Sequence, residues 1–119
     1  LPASERVWCD TTDAQIRDGL IQCFEFTYDI AYKTLRRYLA SAATTPTAFD
    51  ALPFADLVRA GNRQGLLRSH RPQWRQFREM RNITSHTHDE AKAVAVVRGI
   101  PAFLVEAEGL RDQLRRRLA

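Results

Sequence analysis

The chain has 119 residues, 45% of them apolar and 27% charged, which fits one soluble globular domain over 1–119, and its five Gly and five Pro exclude a collagen or a Pro-rich linker. No apolar run approaches the roughly 20 residues needed to span a bilayer, and no basic-then-apolar leader opens the chain. The net charge of +4 comes from 16 Arg and 2 Lys against 14 acids. It is unevenly placed, since residues 59–81 hold seven arginines and one acid, Glu79.

Residues 1–10 carry little pattern and read as a loose end or the remnant of an earlier helix. Thr12 with Gln15 makes a capping box, and a helix is expected from there to about Ala40. With Leu20 set at 0° and about 100° per residue, Ile16, Cys23, Phe24, Thr27, Ala31, Thr34 and Tyr38 fall within about 60° of it. Ile21, Tyr28, Tyr32, Leu35 and Leu39 widen the apolar arc to about 120° on one side. Asp18, Gln22, Glu25, Asp29, Lys33 and Arg36 form a narrow polar back. An arc near 200° exceeds what one face of a surface helix needs. The helix is therefore expected either at the centre of the core or against a second subunit as well, in a homodimer.

Residues 41–52 are rich in Ala, Thr and Pro and read as a loop. Pro53 opens a short helix ending at Gly61, followed by a turn containing Gly65. Pro72 opens a third helix through about Thr84. A second capping box, Thr87 with Glu90, starts a last helix over 88–98 and 101–118, which Gly99 and Pro101 are expected to bend or interrupt. Nothing alternates at period two. The fold class is all-α, an antiparallel up-and-down helical bundle.

The third helix concentrates the chemistry. With Phe77 at 0°, Trp74, Met80 and Thr84 lie within about 60° of it and form a packed face. Arg78, Arg71, Arg75 and Arg68 follow at about 100° to 180° as a basic stripe. That stripe is either a solvated side or a phosphate track. Arg81 is the exception, at about 40°, on the apolar side. A lone buried guanidinium is expensive, so Arg81 should pair with an acid, line a cleft or reach a partner. His86 lies about 140° from Arg81 on a continuous helix, so the two converge only through a helix break near Ser85 or across two subunits. Asn82, Ser85, Thr87 and His88 crowd the same corner. His86, His88, Asp89 and Glu90 match no zinc spacing, so no metal is expected. No Gly-rich phosphate loop is present and no cofactor is implied. Cys9 and Cys23 make no disulfide framework and read as thiols of a reducing, cytoplasmic compartment.

Two stretches give the chain a family resemblance. The first runs from Arg17 to Leu35 and contains Phe24-Glu25-Phe26-Thr27 and Ala31-Tyr32-Lys33. The second is Glu79-Met80-Arg81-Asn82-Ile83-Thr84-Ser85-His86-Thr87-His88-Asp89-Glu90. With the short helix and Gly-Leu turn between Pro53 and Leu67, they resemble the nucleotidyltransferase substrate-binding proteins of the HEPN group. The resemblance implies a homodimeric bundle whose partner is a separate nucleotidyltransferase, the pair resembling a toxin–antitoxin module. It implies a metal-independent endoribonuclease site in a dimer cleft, with Arg81 and His86 as catalytic residues and Asn82 beside them. Ser85, Thr87 and His88 would support that site, and Arg68, Arg71, Arg75 and Arg78 would hold the RNA or nucleotide phosphates. The alternative that the family also implies is a non-catalytic substrate-binding subunit of the transferase. The chain departs from the pattern in three places. His88 stands where toxins of this type often carry a Tyr that the transferase modifies with AMP, Cys23 replaces a commonly basic residue, and the helix that normally precedes residue 10 is largely missing.

Overall fold

In the computed structural model, residues 11–86 and 88–118 are described, with the side chains of 11–13 and 46 left aside. The expected end segment 1–10 and the capping residue Thr87 lie outside the described residues. Among the described residues four α-helices follow one another: α1 (Thr11–Ser41), α2 (Phe54–Arg63), α3 (Arg71–Ile83) and α4 (Glu90–Leu118). Short 3-10 turns at Pro46–Phe49 and Thr84–His86 complete the set, and no strand occurs among the described residues. No described helix is long and apolar enough to cross a membrane.

Helices α1, α3 and α4 alternate in direction. Arg17 meets Glu90 near the starts of α1 and α4, Phe24 meets Phe103, and Arg117 lies over Tyr38 near their ends. These two long helices therefore run parallel, side by side. Between them α3 runs the other way, with Met80 against Gly99 and Phe77 against Phe103. In the order α1, α3, α4 the helices thus run up, down and up, which makes α1 and α4 parallel.

Phe103 sits at the centre of the core, fully buried, with Phe24, Tyr28, Trp74 and Phe77 around it at 5.0–6.4 Å between rings. Leu35, Leu39, Leu57, Val58, Leu66 and Val96 extend it along the bundle. Each such side chain contributes on the order of 2 kcal/mol by leaving water. On α1 the buried apolar residues are Ile21, Phe24, Tyr28, Ala31, Leu35 and Leu39. Only one flank of the wide apolar arc is therefore used internally; Ile16, Leu20 and Ile30, on the other flank, stay about half exposed.

Three boundaries differ from expectation. α2 runs on to Arg63, because Gly61 is buried under Leu67 and does not end the helix. The turn comes at Gly65, whose φ of +72° is a left-handed conformation that suits glycine. α4 starts at Glu90, with the Asp89 carboxylate accepting the backbone N–H of Lys92 as a cap. It then runs unbroken through Gly99 and Pro101. Gly99 serves packing here, since a Cβ would lie 2.5 Å from the Met80 sulfur. Pro101 is exposed, on a side where water can satisfy the carbonyl its missing N–H leaves.

Two polar anchors fix the connections. Arg36, expected on a solvated back, donates to the carbonyls of Phe49, Asp50 and Leu52 and to the Tyr32 hydroxyl, tying down residues 42–53. Glu106, 2% exposed, accepts the backbone N–H groups of Arg68 and Ser69 at 2.9 and 2.8 Å, which clamps the loop before α3 onto α4.

Candidate functional site

The corner between α3 and α4 is built by a change of helix type. α3 ends at Ile83 and tightens into the turn Thr84–His86, with the Thr84 N–H bonded to the Arg81 carbonyl. The break expected near Ser85 is present, so the 140° offset of a continuous helix no longer separates residues 81 and 86.

Arg81 resolves its awkward position by pairing with acids of α1. Its Nε donates to Asp29 Oδ1 at 2.9 Å and its Nη2 to Asp29 Oδ2 at 3.0 Å. Its Nη1 donates to Thr84 Oγ1 at 3.1 Å and lies 3.4 Å from Glu25 Oε2. The Thr84 hydroxyl, which is buried, lies 2.7 Å from both Glu25 Oε2 and the Arg81 carbonyl, either of which can accept its proton. The two-pronged bond to Asp29, more than the Coulomb field of Glu25, pushes the guanidinium further above its already high pKa and keeps it charged. Tyr28, next to Asp29 in sequence, is pushed up to about 12, chiefly by burial. Its phenol stays protonated at neutral pH.

The other expected site residues are at the surface. Asn82, Ser85, His86 and His88 are exposed. The Ser85 hydroxyl donates to the Asn82 carbonyl at 3.3 Å, and the His86 and His88 rings lie 6.3 Å apart, edge to face. Among the described residues no hydrogen bond joins Arg81 to His86; Arg81 is turned toward α1. The structure thus groups Arg81 with Asp29, Glu25 and Thr84, and His86 with His88.

The basic stripe is shorter than expected. Arg71, Arg75 and Arg78 are exposed along α3, with Arg78 lying 4.7 Å over the Phe54 ring. Arg68 is not part of it. It precedes the helix, its N–H is held by Glu106, and its side chain lies against Gly109 of α4. Beyond Arg71 the basic surface continues into a pocket of about 280 Å³ lined by Arg59, Asn62, His70 and Arg71. On the other side of the bundle, α1 and α4 leave an apolar groove of about 740 Å³, with Thr27, Ile30, Leu104, Ala107 and Leu114 in its walls and Glu108, Arg111 and Arg115 on its rim. Asp29 and Ile30 lie about 100° apart on α1, so the acid cluster and the groove use different flanks of that helix.

Sequence reasoning missed Asp29 and Glu25 as site residues and Glu106 as a clamp. A signal for the first two existed. An arginine on the apolar side of α3 demands an acid, and Glu25 and Asp29, four residues apart in the middle of α1, lie on one side of it.

Fold and corner together define a class: a small all-α bundle whose third helix ends in an Arg-x4-His turn and whose first helix supplies the acids that hold the arginine. The chain belongs to the family described as nucleotidyltransferase substrate binding protein like, whose model matches residues 3–116. It is 40% identical to a probable ribonuclease HepT of Haemophilus influenzae, over 96% of this chain and 80% of that protein. It is also similar to a solved Haemophilus influenzae structure described as revealing the fold of a substrate binding domain of a nucleotidyltransferase. The TM-score there is 0.85 at 36% identity, covering 95% of this chain and 84% of the other.

Proposed function

We propose that the chain is the HEPN-type toxin subunit of a toxin–antitoxin pair whose other member is a nucleotidyltransferase, and that it cleaves RNA without a metal. The observation that carries this reading is the Arg81-x4-His86 turn itself, in a chain 40% identical to a probable ribonuclease. In the proposed reaction the ribose 2′-hydroxyl attacks the adjacent phosphorus and the 5′-oxygen leaves, giving a 2′,3′-cyclic phosphate and a 5′-hydroxyl. His86 takes the 2′-hydroxyl proton or gives one to the leaving oxygen, a role suited to an imidazole open to solvent. Arg81 stabilises the charge that builds on the non-bridging oxygens. In this reading Asn82 assists them, with Ser85, Thr87 and His88 supporting. Arg71, Arg75 and Arg78 hold the flanking backbone.

The active unit is a homodimer. The uncovered flank of α1 supports this, as Ile16, Leu20 and Ile30 with Leu104 and Val105 of α4 form an apolar surface that a second copy can bury. A non-catalytic role, presenting a substrate to the nucleotidyltransferase, is favoured by two observations. Arg81 is already engaged by Asp29 and Glu25, and His88 stands where a modifiable Tyr is often found. Incubation of the purified protein with labelled RNA in EDTA, beside His86→Ala, separates the two roles: cleavage by the parent alone selects the ribonuclease.

A further inference from the structure

The two stretches of sequence that carry the family resemblance meet in space, at Arg17 with Glu90 and again farther along α1. Asp29 and Glu25 of the first touch Arg81 and Thr84 of the second. A guanidinium has five N–H groups. Here Nε–H and one N–H of Nη2 go to Asp29, and Nη1 is directed to Thr84 and toward Glu25. Among the described residues that leaves the second N–H of Nη2 uncommitted, on a group whose plane is fixed by a two-pronged bond. The cluster also holds one cation against two carboxylates, so it does not attract a phosphate by net charge. Attraction must come from the exposed arginines of α3, and the contribution of Arg81 must be directional.

We propose that Asp29, backed by Glu25 and Thr84, is the positioning residue of Arg81, fixing the guanidinium so that its remaining Nη2–H meets a non-bridging phosphate oxygen as charge develops there. This rests on the reading in which Arg81 serves an RNA phosphate. Asp29 does not touch the substrate; it acts through the arginine. Loss of the Asp29 charge has a signature that general damage lacks. The arginine loses its fixed plane, so turnover falls, while the local potential becomes more positive, so substrate binding does not weaken.

The test compares parent, Asp29→Asn, Asp29→Glu, Glu25→Gln and Arg81→Lys in full-length protein. Each is measured for kcat and KM on a labelled RNA, for affinity to the same RNA carrying 2′-O-methyl groups, and for melting temperature. The expected result for Asp29→Asn is a kcat lower by about a hundredfold, the scale of a misplaced reacting group, with KM and analogue affinity unchanged or tighter. Asp29→Glu, which keeps the carboxylate, should recover part of the loss. Should Asp29→Asn not remain folded at the assay temperature, Glu25→Gln carries the test, with a smaller fall in kcat at unchanged KM. Parental kcat in the folded Asp29→Asn variant, with Arg81→Lys inactive, overturns the positioning role alone. A gain in kcat overturns it too, because Asp29 would then be a competitor for the arginine. If the parent does not cleave and Arg81→Lys binds the analogue as the parent does, the functional reading fails, and the positioning role with it.

Discussion

Asp29 and Arg81, 52 residues apart in sequence, meet through two parallel hydrogen bonds of 2.9 and 3.0 Å. This contact joins the middle of α1 to the last turn of α3, just where α3 tightens into its 3-10 end. The corner carrying His86 is thereby tied to the long helix whose far flank is exposed and apolar. Both side chains are partly open to solvent, 30% for Arg81 and 41% for Asp29. The pair is therefore worth more as a fixed geometry than as a large stabilising term.

The main polar contribution to stability lies elsewhere, at Glu106. Its two carboxylate oxygens satisfy two backbone N–H groups of the loop before α3 and are almost fully buried. Glu106→Ala leaves both donors without partners and should cost about 3 kcal/mol, lowering the melting temperature by on the order of 10 °C. Glu106→Gln keeps one acceptor and should cost less. A loss below about 1 kcal/mol for the alanine variant, measured by urea unfolding, would show that the loop is held by other contacts.

Tyr28 gives the fold an alkaline limit. Its pKa is pushed up to about 12 in the folded chain, from about 10 for an exposed phenol. The folded state therefore holds this proton more tightly than the unfolded state does. The resulting stability is complete below about pH 10 and is lost as the pH rises toward about 12, a total of about 2–3 kcal/mol. Unfolding free energies from pH 8 to 12 should fall over that window in the parent and fall less in Tyr28→Phe. Equal slopes in the two proteins would contradict this.

Most of the fold was legible because the chain's patterning is helical throughout. The apolar arc of α1, Pro53 and Pro72 at helix starts and the crowding of polar groups after Arg81 all placed their elements correctly. Gly99 and Pro101 misled because their usual effect is local, whereas here Met80 fills the space over Gly99 and Pro101 faces water. The polar back of α1 misled for the same reason. Arg36 binds loop carbonyls and Asp29 binds Arg81, contacts whose partners lie 13 to 52 residues away. The helical wheel also placed Arg68 in the basic stripe, but that residue is not helical.

The exposed flank of α1 leads to a prediction about assembly. Ile30 is 48% and Leu104 45% exposed in the single chain, so Ile30→Glu and Leu104→Glu should leave the fold intact. Each should convert the expected dimer to monomer, as followed by sedimentation at tens of micromolar with circular dichroism as the check on folding. A parent that sediments as a monomer, or charged variants that remain dimeric, would place the second copy elsewhere or remove it.

In the proposed reading Arg71, Arg75 and Arg78 of α3 bear on affinity rather than chemistry. Arg71→Glu, Arg75→Glu or Arg78→Glu should weaken RNA binding for all sequences alike and flatten its dependence on salt. Arg78→Glu also removes a cation from the Phe54 ring, so its melting temperature should fall slightly more than that of Arg75→Glu. Binding that ignores salt, or survives all three reversals, would assign the stripe to solubility.

The most direct measurement is RNA cleavage in EDTA by the parent, His86→Ala and Arg81→Lys, with the product ends identified. A ribonuclease of the proposed kind gives 2′,3′-cyclic phosphate ends with the parent. Both variants should lose activity by at least about a hundredfold, the low end for loss of an acid–base group, while retaining the parent's melting temperature. Absence of cleavage by the parent, or equal cleavage by the His86→Ala variant, would contradict the assignment and leave the substrate-binding role.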